Sequence, residues 1–365
     1  MGLKGRKFVR TSKRVTLLTG TDNLAQGSAG EKDSLISVII CTYGRATALL
    51  DLLKALQNQT YHQLEVLVVD GNDEPSPARE TVEKFRNSAG THAEVRLIES
   101  QKGLTRQRNV GLQAAKGRLI CFLDDDVTFE SDFLSKVADL FDRSDMQDVG
   151  GITPYDLLNY PMRMSLRWYL RWLLGVMPGR DPGRVDHLGR AVPLSFLKPW
   201  PGHKKVGWLP GFCMIYRRAA IEGLFFDELL PTYGGEDRDF SMRVGERCRL
   251  LICGGLHIRH HYTAEGREDD LDRLRQCSFG AGRRFAKYIR GAGDYFTIAR
   301  VVLGDLAIDL VALIRWPRRI HFSILMVRIQ AFFAGFRSVT ASDSQMASSL
   351  NELPARHTAV GSGNE

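Results

Sequence analysis

Residues 103–127 read GLTRQRNVGLQAAKGRLICFLDDDV. Residues 106–115 of that stretch predict a helix. Residues 119–123 (LICFL) predict an uninterrupted apolar strand, buried on both faces. Asp124, Asp125 and Asp126 follow at its carboxyl end. Toward the N-terminus, residues 64–69 (LEVLVV) form a similar run ending at Asp70-Gly71-Asn72-Asp73. Residues 35–41 (LISVIIC) form another, broken by Thr42-Tyr43-Gly44-Arg45, and residues 95–99 a shorter one. Between the runs, Leu49, Leu52, Leu53 and Leu56 follow helical spacing, residues 82–85 continue a second helix, and Phe133, Val137 and Leu140 mark a third. Strands alternating with helices predict an α/β fold, a Rossmann-like and mostly parallel sheet flanked by helices. Such sheets bind ligands beyond the carboxyl ends of their strands. Thr42, Asp70 and the three aspartates all fall there, on separate strands.

With 365 residues the chain has room for one large domain plus appendages, or for two small ones. Its net charge of +8 points to an acidic partner, or to a solvated basic surface and nothing more. No groove-reading motif appears, so nucleic acid is not expected. Six scattered cysteines, with no CxxC pair, predict buried free thiols in a reducing cytosol rather than a zinc site or disulfides. Residues 1–34 are basic, rich in Gly, Ser, Lys and Thr, and lack the apolar core of a signal peptide; they predict a disordered tail. The polar residues 341–365 predict another. The α/β domain is expected over 35–265, followed by a helical region over 266–340. There is no internal repeat.

Three adjacent carboxylates at the end of an apolar strand repel one another unless a cation or hydrogen-bond donors offset them. Mg2+ or Mn2+, held by one or two carboxylates and by substrate phosphates, suits that arrangement. An acidic turn capping the next helix is the alternative. Asp70 is placed to accept hydrogen bonds from a base or ribose, or to serve as a turn residue. Arg106 and Arg108 suit phosphate oxygens at a helix start, or surface ion pairs. Gly234-Gly235-Glu236-Asp237 precedes a helical stretch with Phe240 and Val244. The glycines permit close approach to a ligand and leave Asp237 facing a cleft, although acids are also common in a first helical turn. In residues 250–262 (LLICGGLHIRHHY), a period of two puts His257 and His261 on one face and His260 on the other. One of them is available to ligate a metal or a phosphate.

Taken in order, VIICTYGR, VLVVDGND, the 103–127 segment, LPGFCMIYRR, GGEDRDFSMRV and HIRHH resemble the motifs of the family 2 glycosyltransferases of the GT-A fold, over residues 35–261. The resemblance implies inverting transfer of a sugar from a nucleoside-diphosphate sugar to a hydroxyl acceptor, with Mg2+ or Mn2+ as cofactor. The acceptor would be a glycan, a lipid-linked molecule or a polysaccharide. The resemblance further implies that Thr42 and Asp70 line the base, that Arg108 lies near the base and diphosphate, and that Asp124, with Asp125 beside it, binds the donor at the ribose. Asp126 would hold the metal, assisted by His260 or His261, and Asp237 would be the general base, with Glu236 as its neighbouring candidate. Asp70 followed by Gly-Asn-Asp departs from the commoner Asp-Gly-Ser or Asn-Asn-Ser, so the resemblance does not specify which nucleotide base is bound. A sugar-phosphate nucleotidyltransferase shares fold and metal but usually carries a Gly-rich loop after the first strand, where this chain has Cys41-Thr42-Tyr43-Gly44. Intact Asp126 and Asp237 argue against a non-enzymatic nucleotide-sugar-binding or membrane scaffold protein.

Residues 161–178 (PMRMSLRWYLRWLLGVMP) space Arg163, Arg167 and Arg171 four apart, with Trp168, Tyr169, Trp172, Leu173 and Leu174 around them. This predicts an interfacial helix on an anionic membrane, or a core helix with its arginines in solvent. Residues 295–314 and 320–336 are apolar but interrupted by Arg300, Asp305, Asp309 and Arg328. Each such charge costs about 3 kcal/mol at mid-bilayer, so in-plane helices or subunit contacts are expected instead of clean spans. The expected location is cytoplasmic, peripheral at the inner face of the membrane. Residues 178–207, rich in Pro and Gly, are expected to form a mobile lid on the acceptor side.

Overall fold

β1 (Ile36–Thr42) is hydrogen-bonded along both edges, in parallel with β2 (Leu64–Asp70) and with β4 (Leu119–Leu123). A strand paired on both edges and covered on both faces has no solvent side, which is why these three runs are apolar without alternation. The computed structural model describes residues 35–351, apart from 89–93, 263–268 and 316–318. The two expected tails therefore lie outside the described residues over 1–34 and 352–365.

The sheet runs β3 (Glu94–Glu99), β2, β1, β4, β8 (Cys213–Arg217), β6 (Val149–Asp156), β9 (Arg249–His260) and β5 (Val127–Thr128), with β7 (His203–Val206) also on β9. β8, β7 and β5 oppose their neighbours; the other pairings are parallel. The mostly parallel mixed sheet of the expected α/β fold is present.

Alternate residues of β1 feed two apolar layers. Val38 and Ile40 pack with α1 (Ala46–Gln57), α2 (Pro77–Arg86) and α4 (Phe133–Asp142). Ile39 packs against α3 (Leu104–Ala114) and the later helix α7 (Glu236–Gly245). Leu49, Leu52, Leu53 and Leu56 of α1 are all buried, as a stripe at positions i, i+3, i+4 and i+7 requires. In α3, a Cβ on Gly111 would stand 2.4 Å from Ile39 Cγ2 and 3.1 Å from Val69 Cγ2. Glycine there lets the helix backbone rest directly on β1 and β2, which holds Arg108 near the strand ends.

Past the sheet, α8 (Asp270–Tyr288), α9 (Ala292–Arg315) and α10 (Arg319–Asn351) form the helical appendage. α10 runs to Asn351, so the segment expected to be tail from Ala341 begins as helix. The helix expected within residues 161–178 is short: α5 spans Leu166–Leu173. Its cations are not a free row. Arg171 is ion-paired to Asp305 at 2.5 Å and Arg167 to Asp309 at 3.6 Å, while Arg328 of α10 reaches Asp309 at 2.5 Å. Three of the four charges that interrupt the two apolar stretches, Asp305, Asp309 and Arg328, thus pair with one another or with α5 and tie α5, α9 and α10 together. His321–Val339 is long and apolar enough to cross a membrane by length and composition. The 178–207 segment is anchored rather than loose: Leu188, Val192 and Leu194 are buried, and β7 joins the sheet. All six cysteines are free.

Candidate active site

The Asp124 amide donates to Phe212 O at 3.0 Å, carrying the β4–β8 ladder one residue into the acidic run. β5 then pairs Val127 with His260, and the His261 amide donates to Asp126 O at 2.9 Å. That register brings the His260 imidazole onto the carboxylates. Its Nε2 lies 3.1 Å from Asp126 Oδ1 and 4.0 Å from Asp124 Oδ2. One ligand atom from each of the three residues falls within a 4.8 Å set. Neighbouring ligands of a cation at about 2.1 Å sit about 3 Å apart when at right angles, so the spacing fits a divalent ion. Two hard carboxylate oxygens and one imidazole nitrogen suit a divalent transition ion. The His260 ring is held between Phe212 and Tyr262, at centroid distances of 5.1 and 4.0 Å. Its Nδ1 is buried and makes no hydrogen bond among the described residues, so packing sets its orientation.

Asp125 points elsewhere. It accepts from Thr42 Oγ1 at 2.9 Å and from Arg45 Nη1 at 2.9 Å. Burial, partly offset by Arg45, pushes its carboxyl up to about 6. Arg45 also stands 3.7 Å from Asp126. Arg45 belongs to the turn that ends β1, where its sequence signal is that of an ordinary turn residue; together with Arg108 it supplies the positive charge that lets three carboxylates share a site.

Arg108, on α3 and buried, spans the site. Its Nη1 donates to Glu236 at 3.1 Å, its Nη2 donates to Gly211 O at 3.1 Å, and Asp124 lies 3.6 Å away. Glu236 and Asp237 open α7. Gly235, at φ +75°, makes the left-handed turn into the helix, a conformation that favours glycine. Asp237 is half-buried and lines a cavity. It accepts from the Gly211 amide at 3.1 Å and the Arg238 amide at 2.7 Å. Glu236 is buried against Arg108. Burial and the neighbouring Asp237 push its carboxyl up to about 8, against the pull of Arg108. A carboxyl so enclosed is less available to an incoming hydroxyl than Asp237. Asp239, fully buried, accepts from Lys287, Tyr288 and Arg243 and braces α7 against α8.

Three sequence candidates stand apart from the cluster. Asp70 is turned into its own loop, accepting from the Asn72 amide at 2.9 Å, from Asn72 Nδ2 at 2.6 Å and from the Ser76 hydroxyl. His261, one residue beyond the end of β9, bonds Thr128 Oγ1 at 2.8 Å and is exposed. Arg106 pairs with Glu228 at 3.2 Å.

A family model described as glycosyl transferase family 2 matches residues 37–225, more than half of the chain. The chain belongs to glycosyl transferase family 2. It is 30% identical over 122 residues to the glucosyl-dolichyl phosphate glucuronosyltransferase of Haloferax volcanii, covering 32% of this chain and 37% of that one. It is 29% identical over 118 residues to the amylovoran biosynthesis glycosyltransferase AmsB of Erwinia amylovora, covering 32% and 38%. These matches span well under half of either relative. Among solved structures, the mannosyltransferase PcManGT of Pyrobaculum calidifontis, in complex with GDP-Man and Mn2+, is similar at a TM-score of 0.48 and 17% identity, over 86% of this chain and 80% of that one. In this member of family 2, the acidic cluster and Asp237 flank Arg108, which is ion-paired toward both ends of the site.

Proposed function

We propose that the protein is an inverting, metal-dependent glycosyltransferase that moves a sugar from a nucleoside-diphosphate sugar to an acceptor hydroxyl, with Asp237 as general base. The observation that carries this reading is the convergence of Asp124, Asp126 and His260 at the end of β4. Family membership supports the transfer itself. A divalent cation held by these three residues, Mn2+ or Mg2+, supplies positive charge against the diphosphate. Arg108 adds a fixed cation between the cluster and α7. Two backbone amides orient the Asp237 carboxylate, leaving lone pairs free for the acceptor proton. The acceptor oxygen bonds to the anomeric carbon as that carbon's bond to the diphosphate breaks. The proton passes to Asp237, and the bonding pair leaves with the nucleoside diphosphate. Attack opposite the leaving group inverts the anomeric centre. Thr42, Asp70 and Asp125 are proposed to frame the donor pocket, Asp70 and Asp125 by ordering the strand-end loops through their own hydrogen bonds. The relatives' names, which include a glucosyl-dolichyl phosphate glucuronosyltransferase, support a lipid-linked or polysaccharide acceptor. Exposed Leu166, Leu173, Ile314 and Phe322 on α5, α9 and α10 support contact with a membrane.

The test is calorimetry of UDP and GDP binding with and without Mn2+. Wild-type protein is expected to bind one of them only with metal, and Asp126→Ala to abolish that metal-dependent part. Unchanged metal-dependent affinity in the variant would remove Asp126 as a ligand.

A further inference from the structure

A cavity of about 810 Å3 lies between α7 and the C-terminal helices, with Asp237 in its wall. Its size falls in the range of small-molecule sites. Seven arginines line it. Among the described residues, five are in ion pairs, with Asp309, Asp305, Asp186, Asp270 and again Asp309. The other two, Arg238 and Arg284, are in none.

Arg284 is 3% exposed, and its Nε and Nη1 are buried without an acceptor among the described residues. Its guanidinium lies against the start of α7: a Cβ on Gly235 would meet Arg284 Nη1 at 2.5 Å and Arg238 Nη2 at 2.6 Å. Two guanidinium groups therefore converge two residues before Asp237, where Arg238 has, among the described residues, only the Gly189 carbonyl, at 3.3 Å, as side-chain hydrogen-bond partner. Trp208 Nε1, also buried and without an acceptor among the described residues, belongs to the same lining. Burial, reinforced by Arg238, holds the Arg284 guanidinium down at about 9. A buried cation without a carboxylate partner is costly unless an anion arrives to compensate it. Much of the remaining wall is apolar, including Val176, Phe285, Val301, Ile329 and Phe332. Phe333, half exposed, carries that lining out to the surface. A free sugar or inorganic phosphate would leave this apolar wall uncovered.

We propose that this cavity is the acceptor site, and that the acceptor is an amphiphile whose phosphate or diphosphate ester sits on Arg284 and Arg238 with its apolar chain along α8, α9 and α10. The assignment rests on Asp237 facing the acceptor. It accounts for buried donors that nothing in the described fold satisfies.

The test uses the full chain and three probes: farnesyl phosphate, farnesol and inorganic phosphate, titrated by calorimetry. Farnesyl phosphate is expected to bind roughly tenfold or more tighter than either partial probe, because only it satisfies both halves of the site. Arg284→Gln should weaken it by about tenfold or more, Arg284→Lys should retain most of the affinity, and the Gln variant should not melt at a lower temperature, since it removes an unpaired buried charge. Mn2+-dependent UDP affinity should stay within about twofold of wild type, since that probe reads only the donor half. Equal binding of farnesyl phosphate by Arg284→Gln and wild type overturns the proposal. Inorganic phosphate matching farnesyl phosphate overturns the amphiphile, and farnesol matching it overturns the anion site. Failure of wild-type protein to bind Mn2+ and UDP would count against the donor reading alone, because the farnesyl phosphate comparison does not use that half of the site.

Discussion

Replacing Asp237 with Asn separates its proposed role as base from everything else the residue does. The carboxylate holds two backbone amides, the Arg238 amide at 2.7 Å and the Gly211 amide at 3.1 Å. Asn retains one oxygen, which keeps the shorter bond. Its NH2 then faces the Gly211 N–H, donor against donor. Losing that bond and leaving a half-buried amide unsatisfied costs about 1–3 kcal/mol. Neutralising Asp237 also removes a repulsion felt by Glu236, which moves the net cost toward the lower end, about 1–2 kcal/mol. For a domain of this size that is a melting shift of roughly 2–8 °C, which leaves the protein folded at 25 °C. Loss of the base should lower transfer by roughly 10²–10⁴-fold. That is about 3–5 kcal/mol on the barrier, more than the stability change, so unfolding does not account for it. The assay measures single-turnover transfer and Mn2+-dependent donor affinity on the same preparation. Donor affinity within about twofold of wild type, with transfer lost, is the expected pair of results. Transfer kept within tenfold would refute Asp237 as base and leave Glu236 as the next candidate, since the Asp239 carboxylate is committed to α8. Lost donor affinity would make Asp237 a donor-site residue.

The two adjacent histidines should differ. His260→Ala is expected to weaken Mn2+-supported UDP binding by roughly tenfold or more and His261→Ala by less than about twofold; equal losses would refute the placement of His260 as the ligand. Asp239 gives a pH prediction. Burial by itself would raise its carboxyl, but Lys287 and Arg243, with the Tyr288 hydroxyl, outweigh burial and hold it below the usual value. A lowered acid contributes stability above its unfolded pKa of about 3.9 and loses it as pH falls through the folded value. Urea midpoints should therefore drop more steeply from pH 5 to pH 3 in wild type than in Asp239→Asn. The variant should be about 3 kcal/mol less stable at pH 7, the low end for a buried pair because Lys287 and Arg243 keep some contact with water. An equally steep acid loss in the variant would show that the stability comes from elsewhere.

Much of this protein was legible before any coordinates. A continuous apolar run, or leucines at 49, 52, 53 and 56, reports burial through local periodicity, and local periodicity survives folding unchanged. So the strand–helix alternation, the parallel sheet and the grouping of polar residues at the strand ends followed from the sequence. The period of two over residues 250–262 also separated His260 from its neighbour His261. Which of the two meets the carboxylates was decided by the β5–β9 register that sets Val127 opposite His260. Asp70 had the right position, yet Asn72 and Ser76 absorb both its oxygens, a choice made by loop geometry. Arg167 and Arg171 carried the spacing of a membrane-facing row. Their carboxylate partners sit on α9, far along the chain, and only helix packing brings them into reach. Arg284 is the extreme case. In sequence it is one arginine on a long helix, a position normally read as solvated. It becomes a buried cation only where α8 closes over the start of α7. Sequence patterns decide which face of each element is dry, because that is a property of neighbouring residues. The partners of each charge depend on contacts between distant segments, and only the assembled structure contains those.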